Sequence, residues 1–188
     1  GDMTVDFGFV PEVTVGSTVF TDNDNDGTFE PQDGENGIEG VEVELYDLGP
    51  DGVKGGGDDN LIATDVTDSD GNYFFEDLPE GEYYLKINTA EFGADEPLEG
   101  MISSEDVATT AGDNDTDNDD NGIEMGNLDD ADFMVMTDVF ALEAGTEPGP
   151  NEEDGVGSTQ DDDAEDNGDM TKDFGFYPSL SLGSTVFI

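Results

Sequence analysis

Asp22, Asp24 and Asp26 alternate with Asn23 and Asn25 and run directly into Gly27, Thr28, Glu30 and Asp33. Carboxylates at every second position with glycine at the sixth match a calcium loop, which draws oxygens from positions 1, 3, 5, 7 and 12 and turns sharply at the glycine. Asp22, Asp24, Asp26, the Thr28 carbonyl and Asp33 fill those positions. A two-residue insertion would instead bring Glu35 to the closing position, and the spacing supports either. The flanks read as strands, so this would be the calcium loop without the helix pair whose opening serves sensors. A solvated acidic turn is the plain alternative.

Two further runs have the same character. Asp113, Asp115, Asp117 and Asp119 alternate within DNDTDNDDNG, and Asp161, Asp163 and Asp166 lie in DDDAEDN, just ahead of the sequence DFGF. Alternate acids in an irregular loop can fold around one cation, whereas without metal they repel at short range. The first is set against a disordered acidic loop, the second against a solvated one. Asp51, Asp58 and Asp59 in GPDGVKGGGDD make a weaker fourth group. Asp68 to Asn72 reads as a hairpin turn. Asn114-Asp115-Thr116 is a formal glycosylation acceptor, a three-residue match common by chance.

The rest of the chain must neutralise these acids or keep them apart. Its 51 acidic residues face three lysines, with no arginine and no histidine, for a formal net charge of −48 on 188 residues. Such self-repulsion opposes compaction, and at 33% hydrophobic residues disorder is the reading to beat. Against it stand VEVELYD, NYFFED, EYYLKI and DFMVMTDVFAL, in which apolar and polar residues alternate. Bound cations are therefore the expected partners. Three lysines cannot make the basic footprint that nucleic acid or an anionic membrane requires. No stretch approaches the roughly 18 apolar residues of a membrane span. With no cysteine, neither disulfides nor thiolate sites are available, and bound metal is the obvious brace.

Strands are expected near Val13 to Phe20, Val41 to Asp47, Leu61 to Thr67, Asn72 to Glu76, Glu82 to Asn88, Phe133 to Leu142 and Thr171 to Phe176. About seven strands joined by Gly-, Asp- and Asn-rich connections predict an all-β, antiparallel sandwich with long acidic loops. Helix should be minor, with at most a turn over Glu105 to Thr109. The segment Gly1–Phe20 returns as Gly168–Phe187 with 14 of 20 positions identical, an offset of 167. A period of domain size implies that each unit owns a core and that the chain holds one unit plus its seams. Residues 1–10 would then be the last strand of a preceding repeat or a donated strand, 11–177 the unit, and 178–188 the first strand of the next.

DNDNDGTFEPQDGENGIEGVEVELYD, then LIATDVTDSDGNYFFEDLPEGEYYLKI, then the closing MTKDFGF resemble the SdrD B-like repeats, calcium-binding relatives of the Cna B-type domains of bacterial surface adhesins. The similarity spans about Val13 to Phe176. It implies an immunoglobulin-like or transthyretin-like sandwich with several structural Ca²⁺ ions, used as a stalk or spacer outside the cell. It maps the first calcium loop onto Asp22, Asp24, Asp26, Thr28 and Asp33 or Glu35, and later acidic loops onto Asp113 to Asp119 and Asp161 to Asp166. Many Cna B-type relatives carry a Lys-Asn isopeptide that needs a lysine near the first strand. This chain has none there, and Lys172 of the last strand is Val5 in the other copy, so no isopeptide is expected.

The leading expectation is a structural, calcium-stabilised unit of an extracellular filament, stalk or adhesin shaft, with neighbouring repeats or identical subunits end to end as partners. Strand exchange between subunits and a ligand- or glycan-binding surface are the alternatives. The second would need exposed aromatics, whereas Tyr46, Tyr73, Phe74, Phe75, Tyr83 and Tyr84 fall in strands suited to core packing. Bulk cation or mineral binding and salt adaptation would give the same composition. Without His, Cys or Arg only paired-carboxylate catalysis is open, and metal explains the acids better, so no enzyme is expected.

Overall fold

A computed structural model describes residues 11–104, 117–127, 130, 132–149 and 167–179. Its described strands are β1 (Val13–Thr21), β2 (Glu42–Asp47), β3 (Leu61–Val66), β4 (Asn72–Leu78), β5 (Gly81–Asn88), β6 (Met101–Ser103), β7 (Ile123–Met125), β8 (Met134–Met136), β9 (Phe140–Leu142), β10 (Gly168–Asp169) and β11 (Phe174–Pro178). Two short 3-10 turns, Pro31–Asp33 and Thr89–Phe92, are the only helical elements among the described residues. The expected all-β sandwich is present.

One sheet is built around β1, with β4 on one edge and β10 and β11 on the other, β6 lying beyond β11. The second runs β3-β2-β5-β8-β7, with β9 also on β5. Pairing in the second sheet is antiparallel throughout, and β1 pairs antiparallel with β4 but parallel with both β10 and β11. Val13, Val15, Val19, Tyr73, Phe75, Phe174 and Phe176 of the first sheet meet Val43, Leu45, Leu85, Ile87, Val135, Phe140 and Leu142 of the second, all at most 4% exposed. The alternation in VEVELYD and EYYLKI thus selects one face for this core. On the opposite face Tyr46 stacks on Tyr84 at 5.2 Å, and Lys86 pairs with Glu44 at 3.1 Å above the Tyr46 ring.

Three local expectations are corrected. The single strand over Phe133 to Leu142 is broken into β8 and β9, because Thr137 takes the Leu85 N–H on its hydroxyl at 3.0 Å, and its carbonyl takes the Lys54 ammonium at 2.9 Å. The closing strand expected over Thr171 to Phe176 begins only at Phe174, as β11, and the two-residue β10 precedes it at Gly168–Asp169. From the Val15–Asp169 pair to the Val19–Phe174 pair the closing segment uses one more residue than β1, a bulge that turns Asp173 inward. Finally, Asp68 to Asn72 is a tight turn but not a hairpin: β3 pairs with β2 and β4 with β1, so the turn carries the chain from one sheet to the other. The tentative helical turn over Glu105 to Thr109, residues 1–10 and most of the 178–188 seam lie outside the described residues.

That turn is held by a contact that only glycine allows. A Cβ on Gly37 would lie 1.7 Å from the Asp70 carbonyl oxygen, and one on Gly71 would lie 2.5 Å from the Gly37 Cα. The backbones of the NGI and DGN segments therefore touch directly, while Ile38 N–H bonds to Val19 O at 2.8 Å. Replacing Gly37 by alanine should cost about 1–3 kcal/mol or more, because backbone on both sides must shift. Gly52→Ala, which meets open space, should cost about 1 kcal/mol for its left-handed φ of 68° alone. Urea unfolding of the two variants measures the difference.

Candidate metal centre

The first acidic loop leaves β1 at Thr21 and is organised by its own carboxylates. Asp22 is fully buried and accepts N–H groups from Asn25 at 2.6 Å, Asp26 at 3.3 Å and Gly27 at 2.8 Å. Asn25 and Gly27 adopt positive φ, which lets the chain wrap around that carboxylate. Glu35, 3% exposed, closes the loop from the far end, taking the Asn23 N–H at 2.8 Å and the Glu30 N–H at 2.7 Å.

Ligand atoms of Asp22, Asp24 and Glu35 lie within 4.8 Å of one another, as do those of Asp24, Asp26 and Glu30. Asp24 belongs to both groups, so one loop presents two adjoining triads. Burial and the surrounding carboxylates of Asp26, Asp33, Asp24 and Glu35 raise the pKa of Glu30. The donor set is entirely hard oxygen, clustered and negative, which fits a calcium-sized cation. Carboxylate oxygens that accept one N–H retain a lone pair for a metal. Asp33 instead lies exposed in the Pro31–Asp33 turn, outside both triads. Of the two closing residues open from the sequence, Glu35 is the one brought to Asp22. Thr28 donates its N–H to Asp26 at 2.9 Å and bridges to Asp119.

That bridge joins the first acidic run to the second. Phe29 N–H bonds to Asn118 O and Asp120 N–H to Gly27 O, each at 2.8 Å. Asp117 and Asp119 are thereby placed beside the first loop, whereas Asp113 and Asp115 lie outside the described residues, as do Asp161, Asp163 and Asp166. Alternation picks the odd-numbered acids, but the structure also buries Asp120, fully, with Asp119 at 9% exposure. Asp120 Oδ1 accepts Gly122 N–H and Gly175 N–H, each at 2.9 Å, tying the run to β11. No spacing rule separates a carboxylate that takes backbone N–H groups from one that points outward. Glu30 was more legible, since it falls at position 9 of the calcium-loop spacing.

Asp173 sits where the bulge faces β1. Its Oδ1 accepts the Ser17 hydroxyl at 2.5 Å and the Thr18 N–H at 3.0 Å, and its Oδ2 takes the Asn118 N–H at 3.0 Å. Burial pushes its pKa well above the carboxylate range, the Ser17 bond opposes this, and Asp117 adds to it. On that direction the group's contribution to stability is complete below the unfolded carboxylate pKa and lost as pH rises through the folded one. At the far end of β2, Asp51, Asp58 and Asp59 also converge within 4.8 Å, with Asp59 Oδ2 accepting Gly55 N–H at 2.7 Å and the Tyr84 hydroxyl at 2.8 Å.

Comparison with known proteins matches residues 13–130 to the model of the SdrD B-like domain. Serine-aspartate repeat-containing protein F of Staphylococcus epidermidis is 36% identical over 139 residues, covering 69% of this chain and 8% of that protein. Serine-aspartate repeat-containing protein D of Staphylococcus aureus is 32% identical, covering 73% of this chain and 9% of the relative. Colossin-A of Dictyostelium discoideum is 39% identical over 85 residues, 45% of this chain and 1% of that protein. The chain thus spans a small part of each relative.

Substitution separates the two closing residues. If the loop holds calcium, Glu35→Gln should weaken its binding by about tenfold or more, through loss of a charged oxygen donor that also ties Asn23 to Glu30, while Asp33→Asn should leave the affinity within about twofold. Calcium titration calorimetry on both variants checks this, and equal losses would place Asp33 at the site.

Proposed function

Because the chain belongs to the SdrD B-like domain family, we propose that it is a calcium-braced structural unit of an extracellular array at the cell surface, a stalk, filament or adhesin shaft, with neighbouring repeats joined end to end. The observation that carries this reading is the parallel pairing of β1 with β11. Thr21 lies beside Phe176, so Pro178 leaves the sheet ten residue steps beyond the level at which Val13 enters it. At about 3.3 Å per residue, entry and exit stand about 33 Å apart at opposite poles.

The internal repeat places Leu180 at the position of Val13, the first residue of β1. By that correspondence a single residue, Ser179, would separate β11 from the opening strand of a following unit, and Ser179 is itself fixed, its N–H and hydroxyl each 2.8 Å from the Gly100 carbonyl. A seam of one anchored residue gives a stiff axial joint rather than a flexible link. The chain's own Phe174–Pro178 already closes the sheet between β1 and β6, which favours a continuous array over strand exchange. Tyr73, Phe75, Tyr83 and Tyr84 are at most 4% exposed and serve packing, which favours a structural role over a glycan platform. Among the described residues no helix is long and apolar enough to cross a membrane.

Calcium is the brace in this reading: the two triads of the first loop and the second run pinned across it bring carboxylates together with no lysine described among them. A cation that binds only the folded state at about 1,000 times its Kd adds about 4 kcal/mol per site, about 8–16 °C in Tm for a chain of this size. Circular dichroism melting should show at least that fall on chelation, and an unchanged Tm would refute the brace. In small-angle scattering, a tandem of two units with the native seam should be longer than one unit by about 40 Å, and a compact side-by-side pair would refute the axial joint.

A further inference from the structure

Four strands form the outer borders of the two sheets, β4 and β6 in the first and β3 and β7 in the second. Most of the exposed apolar surface lies on two of them: among the described residues Leu61, Ile62 and Val66 belong to β3 and Met125 to β7, and only Val53 lies elsewhere. An outer strand offers unpaired N–H and C=O groups, and apolar side chains beside them make it a template for a strand of another molecule.

The ladders show which groups are offered. Thr67 N–H bonds to Val41 O at 2.9 Å, so along β3 the N–H groups of Thr64 and Val66 turn away from β2. Val19 N–H bonds to Gly71 O at 2.9 Å, which likewise turns the Phe74 N–H of β4 away from β1. One side chain takes two of these three donors: Asp65 Oδ1 accepts Val66 N–H at 2.9 Å, and Oδ2 accepts Phe74 N–H at 2.8 Å. Asp65 thus belongs to the border of the second sheet and caps that of the first. The other side of the sandwich repeats the arrangement. Ser104 N–H bonds to Gly175 O at 2.9 Å, so the Ser103 N–H of β6 points outward, and Glu124 Oε1 of β7 accepts it at 3.0 Å. The Ser103 hydroxyl also donates to the Gly122 carbonyl at 3.4 Å.

We propose that Asp65 and Glu124 are latches that close both sides of the sandwich against strand addition by a second copy of this chain, so that copies do not pair side by side through their sheets. A carboxylate acts twice here. It occupies the outward donor, and it leaves a negative charge where an incoming strand would have to lie, which would then be buried without a counter-ion. Neither residue belongs to the acidic triads, and the closure concerns a single unit, so it holds with or without calcium and independently of any end-to-end joint. In an array of such units it would keep the shaft in single file.

The test is Asp65→Ala in the full chain, in about 1 M NaCl, where repulsion between the acidic surfaces is screened beyond about 3 Å. Light scattering during size-exclusion chromatography should give the variant at least twice the mass of the parent as concentration rises, with the circular dichroism of the folded β protein. Thr64→Pro removes an outward N–H that the β2 ladder does not use, so Asp65→Ala/Thr64→Pro should return to the mass of the parent. Glu124→Ala should gain mass as Asp65→Ala does, whereas Glu39→Gln, which removes one exposed charge outside the border strands, should not. A folded Asp65→Ala protein with the mass of the parent at every concentration would overturn the proposal. So would association that Thr64→Pro leaves unchanged, because it would come from another surface. Parent association that Thr64→Pro abolishes would show that charge repulsion, not the latch, guards the border, and would overturn it too. Should Asp65→Ala lose the fold, Asp65→Asn, which keeps an acceptor for one of the two N–H groups, is read in the same way.

Discussion

The seating of the closing segment against β1 is the constraint on which the rest of the structure depends. Residues 167–178 are the last described part of the unit to join the sheet, and they do so through buried acids as much as through apolar packing. Asp169 meets Lys172, Asp173 meets Ser17 and Thr18, and Asp120 meets the Gly175 N–H. Phe174 and Phe176 fill the core between those contacts, and the Tyr73 hydroxyl donates to the Lys172 carbonyl. Buried charge is tolerated only where donors or a counter-ion meet it. Asp169 finds its partners within the closing segment itself, whereas the hydroxyl and backbone N–H groups that meet Asp173 and Asp120 come together only when β1, the second acidic run and the closing segment are all in place.

A chain of net charge −48 therefore treats its acids in two ways. Some are folded inward and hydrogen-bonded, so that they act as struts: Asp22 shapes its own loop, Glu35 closes it, and Asp173 holds the bulge. Others, such as Asp24 and Asp26, remain at the surface beside like charges and bring a cost that a bound cation would reverse. The bridge between Thr28 and Asp119 links the classes, because it fixes the surface loop to a run whose next residue, Asp120, is an internal strut.

The sandwich and five of its longer strands were legible in the sequence, since VEVELYD and EYYLKI alternate as half-buried strands must. The DFGF ending marked the closing strand, but the expected start at Thr171 lies three residues ahead of Phe174, where β11 begins. Its late start was hidden, because the bulge depends on the Ser17 hydroxyl and the Thr18 N–H donating to the Asp173 side chain from more than 150 positions away. The break at Thr137 was hidden for the same reason, its partners being Leu85 and Lys54. Spacing located the first acidic loop but left Asp33 and Glu35 open. Their separation comes from the Pro31–Asp33 turn, which carries Asp33 outward and returns Glu35 to the buried Asp22.

Topology also sets how such a unit would meet tension if joined end to end in the proposed array. A pull applied at the start of β1 and the end of β11 acts on two neighbouring parallel strands from opposite poles. The force lies along the strands, so the ladder between them is loaded in shear and its bonds must yield together, not one by one from an end. The contacts of Asp173 with Ser17 and Thr18 cross that seam and oppose the sliding motion. Burial makes them slow to exchange for water, since separating Asp173 from its donors exposes the carboxyl group only after the strands have moved. Asp173 and its donors are thus placed where a unit of the proposed array would need resistance to tension.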